Sequence, residues 1–151
     1  MNEKTASFVA VANTHIKRLQ FALDKLKNIM PVSDQGVINM QEQEFLYFEV
    51  LTGRFSKLQD FVGKQLIDLY LEVHKEDTDG LTMIDKINKL EKLGLINNAE
   101  FWDELRQLRN HLIHEYPNHP DLTAQYLNKT YELARPLITL TNKLTNSIEK
   151  S

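Results

Sequence analysis

Cysteine is absent from this chain of 151 residues. That excludes disulfides and thiolate metal sites, and it fits a reducing compartment. No stretch approaches the ~18 consecutive apolar residues that a membrane span needs, so no membrane contact is expected. Residues 1–7 contain no basic segment followed by an apolar run, so no signal peptide is read and a soluble, cytoplasmic protein is expected. Neither sign of charge dominates: 18 Lys and Arg stand against 21 Asp and Glu, a net charge of -3. No global field therefore draws nucleic acid or an acidic membrane, and any RNA contact has to come from a local basic patch. Glycine is scarce, with 5 residues. The run Gly53-Arg54-Phe55-Ser56-Lys57 is no phosphate loop, because it lacks the preceding strand and the glycine spacing. Strand-like alternation, internal repeats and low-complexity runs are all missing.

What is present is helical spacing. Hydrophobic residues make up 42% of the chain, and the length suits one domain, 1–151, with a real core. Phe8, Val11, Ala12, Ile16, Leu19, Leu23, Leu26 and Met30 mark a first helix over about 5–30, stopped by Pro31. Residues 31–40 have turn chemistry, with Ser33, Asp34 and Gly36. A long helix is expected over about 41–74, on the stripe Phe48, Leu51, Phe55, Leu58, Val62, Leu66, Leu69 and Val73. Phe45, Leu46, Ile67 and Leu71 point away from that stripe. Either the other helices cover this second face or a second copy of the chain does, and a homodimer is expected on that basis.

Residues 75–80 read as a charged connector, since the oxygen-ligand pattern of a calcium loop is missing. A short helix over about 81–93 ends at Gly94. Asn97 with Glu100 resembles a capping box for the next helix, expected to run to about Tyr116. Pro120 suits the first turn of a last helix reaching about Glu149, with Pro136 expected to kink it. The fold class is all-α, an antiparallel bundle of four to five helices.

Polar chemistry concentrates in one place, residues 106–117. About three helical turns hold Arg106, Arg109, Asn110, His111, His114, Glu115 and Tyr116 before Pro117. At about 100° per residue, Phe101, Trp102, Leu105, Leu108, Leu112, Ile113 and Tyr116 share one apolar arc. Arg109 falls inside that arc. A core-facing arginine is costly unless paired or used, and Asp60 or Asp68 could pair with it. On a straight helix Arg109 and His114 diverge by about 140°. They meet at one ligand only if the arginine stem curls, if the helix frays, or if two chains share a cleft. Pro117 favours fraying at Tyr116. His111, His114 and Glu115 have near-one-face spacing, but the order is not that of a zinc helix, and no metal or other cofactor is expected. Arg106 reads as a partner of Asp103 or as a supporting cation that widens a basic patch. Arg54 and Lys57, on the long helix, could reach RNA or face solvent.

Together these groups suit metal-free RNA cleavage. The arginine fork fits phosphate, histidine moves protons near neutral pH, and asparagine and tyrosine orient both. Arg109, four residues, His114, one residue and Tyr116 match the motif of the HEPN superfamily, and the chain resembles its HepT-like toxins in particular. Asn110 directly after the arginine is also typical. About eight residues carry the likeness; the helical plan around them fits as well. The resemblance implies a dimeric, metal-independent endoribonuclease of a toxin–antitoxin pair, with Arg109 and His114 catalytic and Asn110 supporting. It implies a minimal nucleotidyltransferase as partner, with Tyr116 as the tyrosine it adenylylates. It also leaves open a non-catalytic, substrate-binding partner of such a nucleotidyltransferase.

Overall fold

The computed structural model describes residues 1–150 and is helical throughout, with no strand among them. The elements are α1 (Glu3–Leu26), α2 (Asp34–Ile38), α3 (Glu42–Phe61), a π-helical turn (Val62–Leu66), α4 (Ile67–Val73), α5 (Met83–Lys92), α6 (Ala99–Leu112) and α7 (Pro120–Glu149). Because α3 runs through the π turn into α4, the chain has six separate helices. That is one more than the upper expectation, the addition being α2. Ser33 caps α2 by accepting a hydrogen bond from the Gly36 amide, so residues expected to be plain turn close a helical turn instead.

Side-chain contacts fix the directions. Along α1, Lys4 meets Glu72, Phe8 meets Phe61, His15 meets Arg54 and Phe21 meets Tyr47. One number rises while the other falls, so α1 is antiparallel to α3–α4. Trp102 lies on Gly63 and Arg109 on Asp60, which makes α6 antiparallel to α3 as well. Glu104 meets Lys129 and His111 meets Tyr126, so α7 runs against α6. The four long helices thus form an up-down-up-down bundle, with α3–α4 and α7 touching across it. The core between them is aliphatic and aromatic, and Leu19, Leu51, Phe55, Leu66, Leu105, Leu137 and Leu144 are fully buried.

The helix ends follow local rules. Thr82 and Asp85 form a capping box at α5, and hydrogen bonds from Thr82, its backbone N–H first and then its side chain, hold the Asp85 carboxyl below its ordinary range. After α5, Gly94 takes φ +78. Leu95 N–H then reaches the Leu90 carbonyl at 2.9 Å, a closure that suits glycine's left-handed freedom. The cap of α6 is Asn98, whose side chain accepts from Phe101 N–H. The expected Asn97–Glu100 box does not form: the cap lies one residue later, where the third helical position is Phe101 and has no side-chain acceptor to reciprocate. Pro120 opens α7 as expected, and the helix continues unbroken through Pro136. Asn128 fastens the α1–α2 connection, accepting from Val32 N–H at 2.8 Å and donating to its carbonyl at 2.9 Å.

The second apolar face of the long helix divides in two. Ile67 and Leu71 are buried by the chain's own helices, whereas Phe45 and Leu46 remain 48% and 52% exposed. The half near the start of α3 is the open half.

Gly63 in the π turn sets how closely α6 approaches α3. A Cβ there would stand 2.9 Å from the buried Trp102 ring. Alanine gains up to about 1 kcal/mol of helix propensity, but forcing a rigid buried indole aside costs about 1–3 kcal/mol. Gly63→Ala is therefore expected to lower Tm, by roughly 2–4 °C for each kcal/mol of net loss. In a Trp102→Phe background the added penalty should shrink. Equal penalties in both backgrounds, read by thermal melts, would show that the close approach is not what glycine serves.

Candidate functional site

The polar cluster lies where α6 stops. The helix ends at Leu112 with Ile113 as its cap, four residues short of the expected end at Tyr116. Pro117 favours the shorter helix. It supplies no N–H to the Ile113 carbonyl and excludes Tyr116 from helical geometry, so the last turn lacks its closing bonds. His114, Glu115 and Tyr116 therefore belong to the α6–α7 connection. Ile113, expected on the apolar arc, is 64% exposed as a result.

Arg109 remains on the helix and is paired within the chain. Its Nη2 lies 2.6 and 2.8 Å from the two carboxylate oxygens of Asp60. Its Nη1 donates to the Asn110 amide oxygen at 3.1 Å. The side chains of Arg109 and Asp60 are 26% and 35% exposed, so the pair sits at the rim of the bundle. This resolves the core-facing arginine: the stem crosses the apolar stripe and the head reaches a carboxylate at the surface. Of the two candidate partners, Asp60 is the one used, and Asp68 pairs with Lys86 at 2.7 Å. A guanidinium carries five donors, so these contacts leave it capacity for phosphate. Arg106 pairs with Asp103 at 3.0 Å on the exposed side of α6.

His114 lines a cavity of about 490 Å³ between the start of α3, the α6–α7 connection and the start of α7. Its walls include Phe45, Phe48, Tyr116 and Tyr126. The rings are ordered among themselves: His111 stacks on Tyr126 at 4.6 Å and 14°, and Tyr116 lies 5.3 Å from Tyr126. Desolvation and the neighbouring Tyr126 push the Tyr116 phenol above its ordinary value, so its hydroxyl stays protonated at neutral pH. Arg109, Asn110 and Arg106 are not among the residues that line this cavity. Within one chain, then, the structure gathers His114 and Tyr116 in a hollow but leaves the arginine outside it. Among the described residues no cluster of three or more His, Asp or Glu could hold a metal.

A second, open hollow of about 370 Å³ lies along α3 towards α1, lined by Arg18, Phe21, Glu49, Arg54 and Lys57 among others. Glu49 borders both hollows. Arg54 Nη1 donates to His15 Nδ1 at 3.2 Å. Since arginine has no acceptor, His15 is neutral with its hydrogen on Nε2. Burial first, then Arg54 and Lys57, hold its pKa below the ordinary value. Sequence reasoning marks Arg54 and Lys57 but misses Arg18 and His15, because only the α1–α3 pairing brings them alongside. Tyr126 lies on α7, and nothing local in the sequence marks its ring as part of a cavity wall.

No protein-family model, no curated protein and no solved structure matches the chain. The site is therefore read from its own residues.

Two outcomes follow from this geometry. For Asp60 and Arg109, a double-mutant cycle with alanine should give a coupling of about 1–2 kcal/mol, between the values for exposed and buried pairs. Additive losses in denaturant melts would show the pair to be unimportant for stability. For His15, protons bind the unfolded chain below about pH 6.5 while the folded chain resists them, so stability declines as pH falls through that value. His15→Gln keeps a neutral acceptor for Arg54 and should flatten this part of the decline between about pH 7.5 and 5. Identical declines in urea melts would contradict the assignment.

Proposed function

We propose that the chain is a HEPN-type, metal-independent endoribonuclease whose catalytic groups converge between two copies. The supporting observation is the early end of α6. It frees the exposed His114 imidazole into the wall of an aromatic cavity, while Arg109 is held one turn back with donors to spare. In the proposed reaction an imidazole takes the proton of a ribose 2′-hydroxyl. The 2′-oxygen attacks the adjacent phosphorus, the bond to the 5′-oxygen breaks, and the second copy's imidazolium protonates that leaving oxygen. The products are a 2′,3′-cyclic phosphate and a 5′-hydroxyl. Arg109 stabilises the charge that gathers on the phosphoryl oxygens, and Asn110 orients its guanidinium.

The reading calls on a second copy because the cavity that His114 lines does not include Arg109. Leu46 and Ile113, both more than half exposed, stand on the elements that carry the cavity and suit such a contact. The nucleotidyltransferase partner and adenylylation of Tyr116 belong to the same reading. They are supported by the motif and by the position of the Tyr116 phenol at the cavity wall.

One observation favours a second reading, a non-catalytic partner of a nucleotidyltransferase. Arg109 is already neutralised by Asp60 and braced by Asn110. A guanidinium kept in that pair shapes a surface and does not act on phosphate.

Cleavage decides between them. The purified protein should cleave RNA with EDTA present and leave cyclic phosphate ends. His114→Ala should slow this by about 10²–10⁴-fold, the range for loss of a general acid–base. Arg109→Ala should do likewise, each with unchanged helical circular dichroism. Full activity in the double variant rules out the nuclease reading. Absence of cleavage by the wild type, with tight binding of a nucleotidyltransferase, supports the second.

A further inference from the structure

The two hollows share a wall on α3, and their chemistries complement one another. One is basic on balance: Arg18, Arg54 and Lys57 line it with the single carboxylate of Glu49, and none of the three has a carboxylate partner within salt-bridge distance among the described residues. The other is aromatic, and its lining also includes Glu42, Glu49 and Glu115 with Thr52 and Thr123. The first suits phosphate. The second suits a flat ring that presents N–H donors.

From Phe45 to Lys57 the helix advances about 18 Å along its axis. That is a few nucleotides of extended strand. The separation is not bridgeable inside a duplex, because a base has to leave its stack to enter a side pocket. We propose that α3 is a track for single-stranded RNA. Phosphates rest on Arg18, Arg54 and Lys57, and one unstacked base enters the cavity between Phe45 and the Tyr116–Tyr126 pair.

The lining selects the base. A carboxylate accepts and does not donate. Guanine offers two neighbouring donors on its pairing edge, N1–H and the N2 amine, which match the two oxygens of one carboxylate. Adenine, cytosine and uracil each place a donor beside an acceptor, which a carboxylate meets unfavourably. Guanine is therefore the base assigned to the cavity. Its ribose then lies at the wall that carries His114, so this inference rests on the nuclease reading and adds a strand polarity and a base preference to it.

Binding is tested in the His114→Ala background, so that the RNA stays intact, while wild-type cleavage is scored in parallel. Fluorescence anisotropy compares UUUGUU with UUUUUU RNA across a salt series. The guanine-containing strand should bind several-fold more tightly. Phe45 is half exposed, so Phe45→Ala leaves the core intact. It should weaken binding of that strand by about five- to a hundredfold, the range for loss of one base–aromatic stack. Arg18→Gln with Lys57→Gln should reduce the slope of log K against log salt by about 1.4, or roughly 0.7 for each single-strand phosphate left without its cation.

Equal affinity for the two RNAs overturns the guanine assignment. Binding unchanged by both sets of variants, with wild-type cleavage intact, overturns the track and leaves the nuclease reading standing. Neither cleavage nor binding removes both. An arginine-rich hexapeptide that outcompetes RNA, and loses its binding with Phe45→Ala, overturns the track in favour of a protein partner.

Discussion

Pro117 gives no N–H to the Ile113 carbonyl and keeps Tyr116 out of helical geometry, and α6 stops at Leu112. From that stop the polar cluster separates into two parts. Arg109 and Asn110 stay on the helix and belong to the surface it shares with α3. His114 and Tyr116 leave it and turn to the hollow beneath the start of α7. On a straight continuation of the helix His114 would have pointed about 140° away from Arg109.

The bundle supplies the other half of the arrangement. The antiparallel seat of α6 on α3, tight at Gly63 and Trp102, places Arg109 opposite Asp60. It also carries the connection after Leu112 down to Phe45 and Phe48. Asn128 holds the neighbouring crossover, at the same end of the bundle, by two hydrogen bonds to Val32. The site thus sits at one end of a four-helix scaffold whose core is largely aliphatic. The candidate side chains project from a helix end and a loop.

Much of the bundle is legible in the chain itself. The stripes of α1, α3–α4 and α7 have helical spacing, and Gly94 and Pro120 sit at the termini their conformations suit. Asp60 is foreseeable as a partner for a core-facing arginine. Other features are not, for reasons of reach. A cap chosen between Asn97 and Asn98 depends on one turn of backbone. Nothing in the apolar spacing announces the π turn at Val62–Leu66. Whether Ile67, Leu71, Phe45 and Leu46 need an outside partner depends on which helices pack there. Only the first two are covered. The two hollows are products of pairing between elements distant in sequence, which explains why Arg18, His15 and Tyr126 carry no local mark.

In the proposed enzyme two imidazoles, one from each copy, meet across a shared cleft. The chain has no cysteine, so His114→Cys introduces a single thiol whose only possible disulfide is between copies. Disulfide formation requires Cα atoms within about 7 Å, and a short bifunctional thiol reagent extends that reach modestly. A shared cleft predicts that His114→Cys becomes covalently dimeric under the reagent at low protein concentration. Ile84→Cys, at a position 73% exposed on α5, should remain monomeric on denaturing gels under the same treatment. Equal and slow crosslinking at both positions would contradict it.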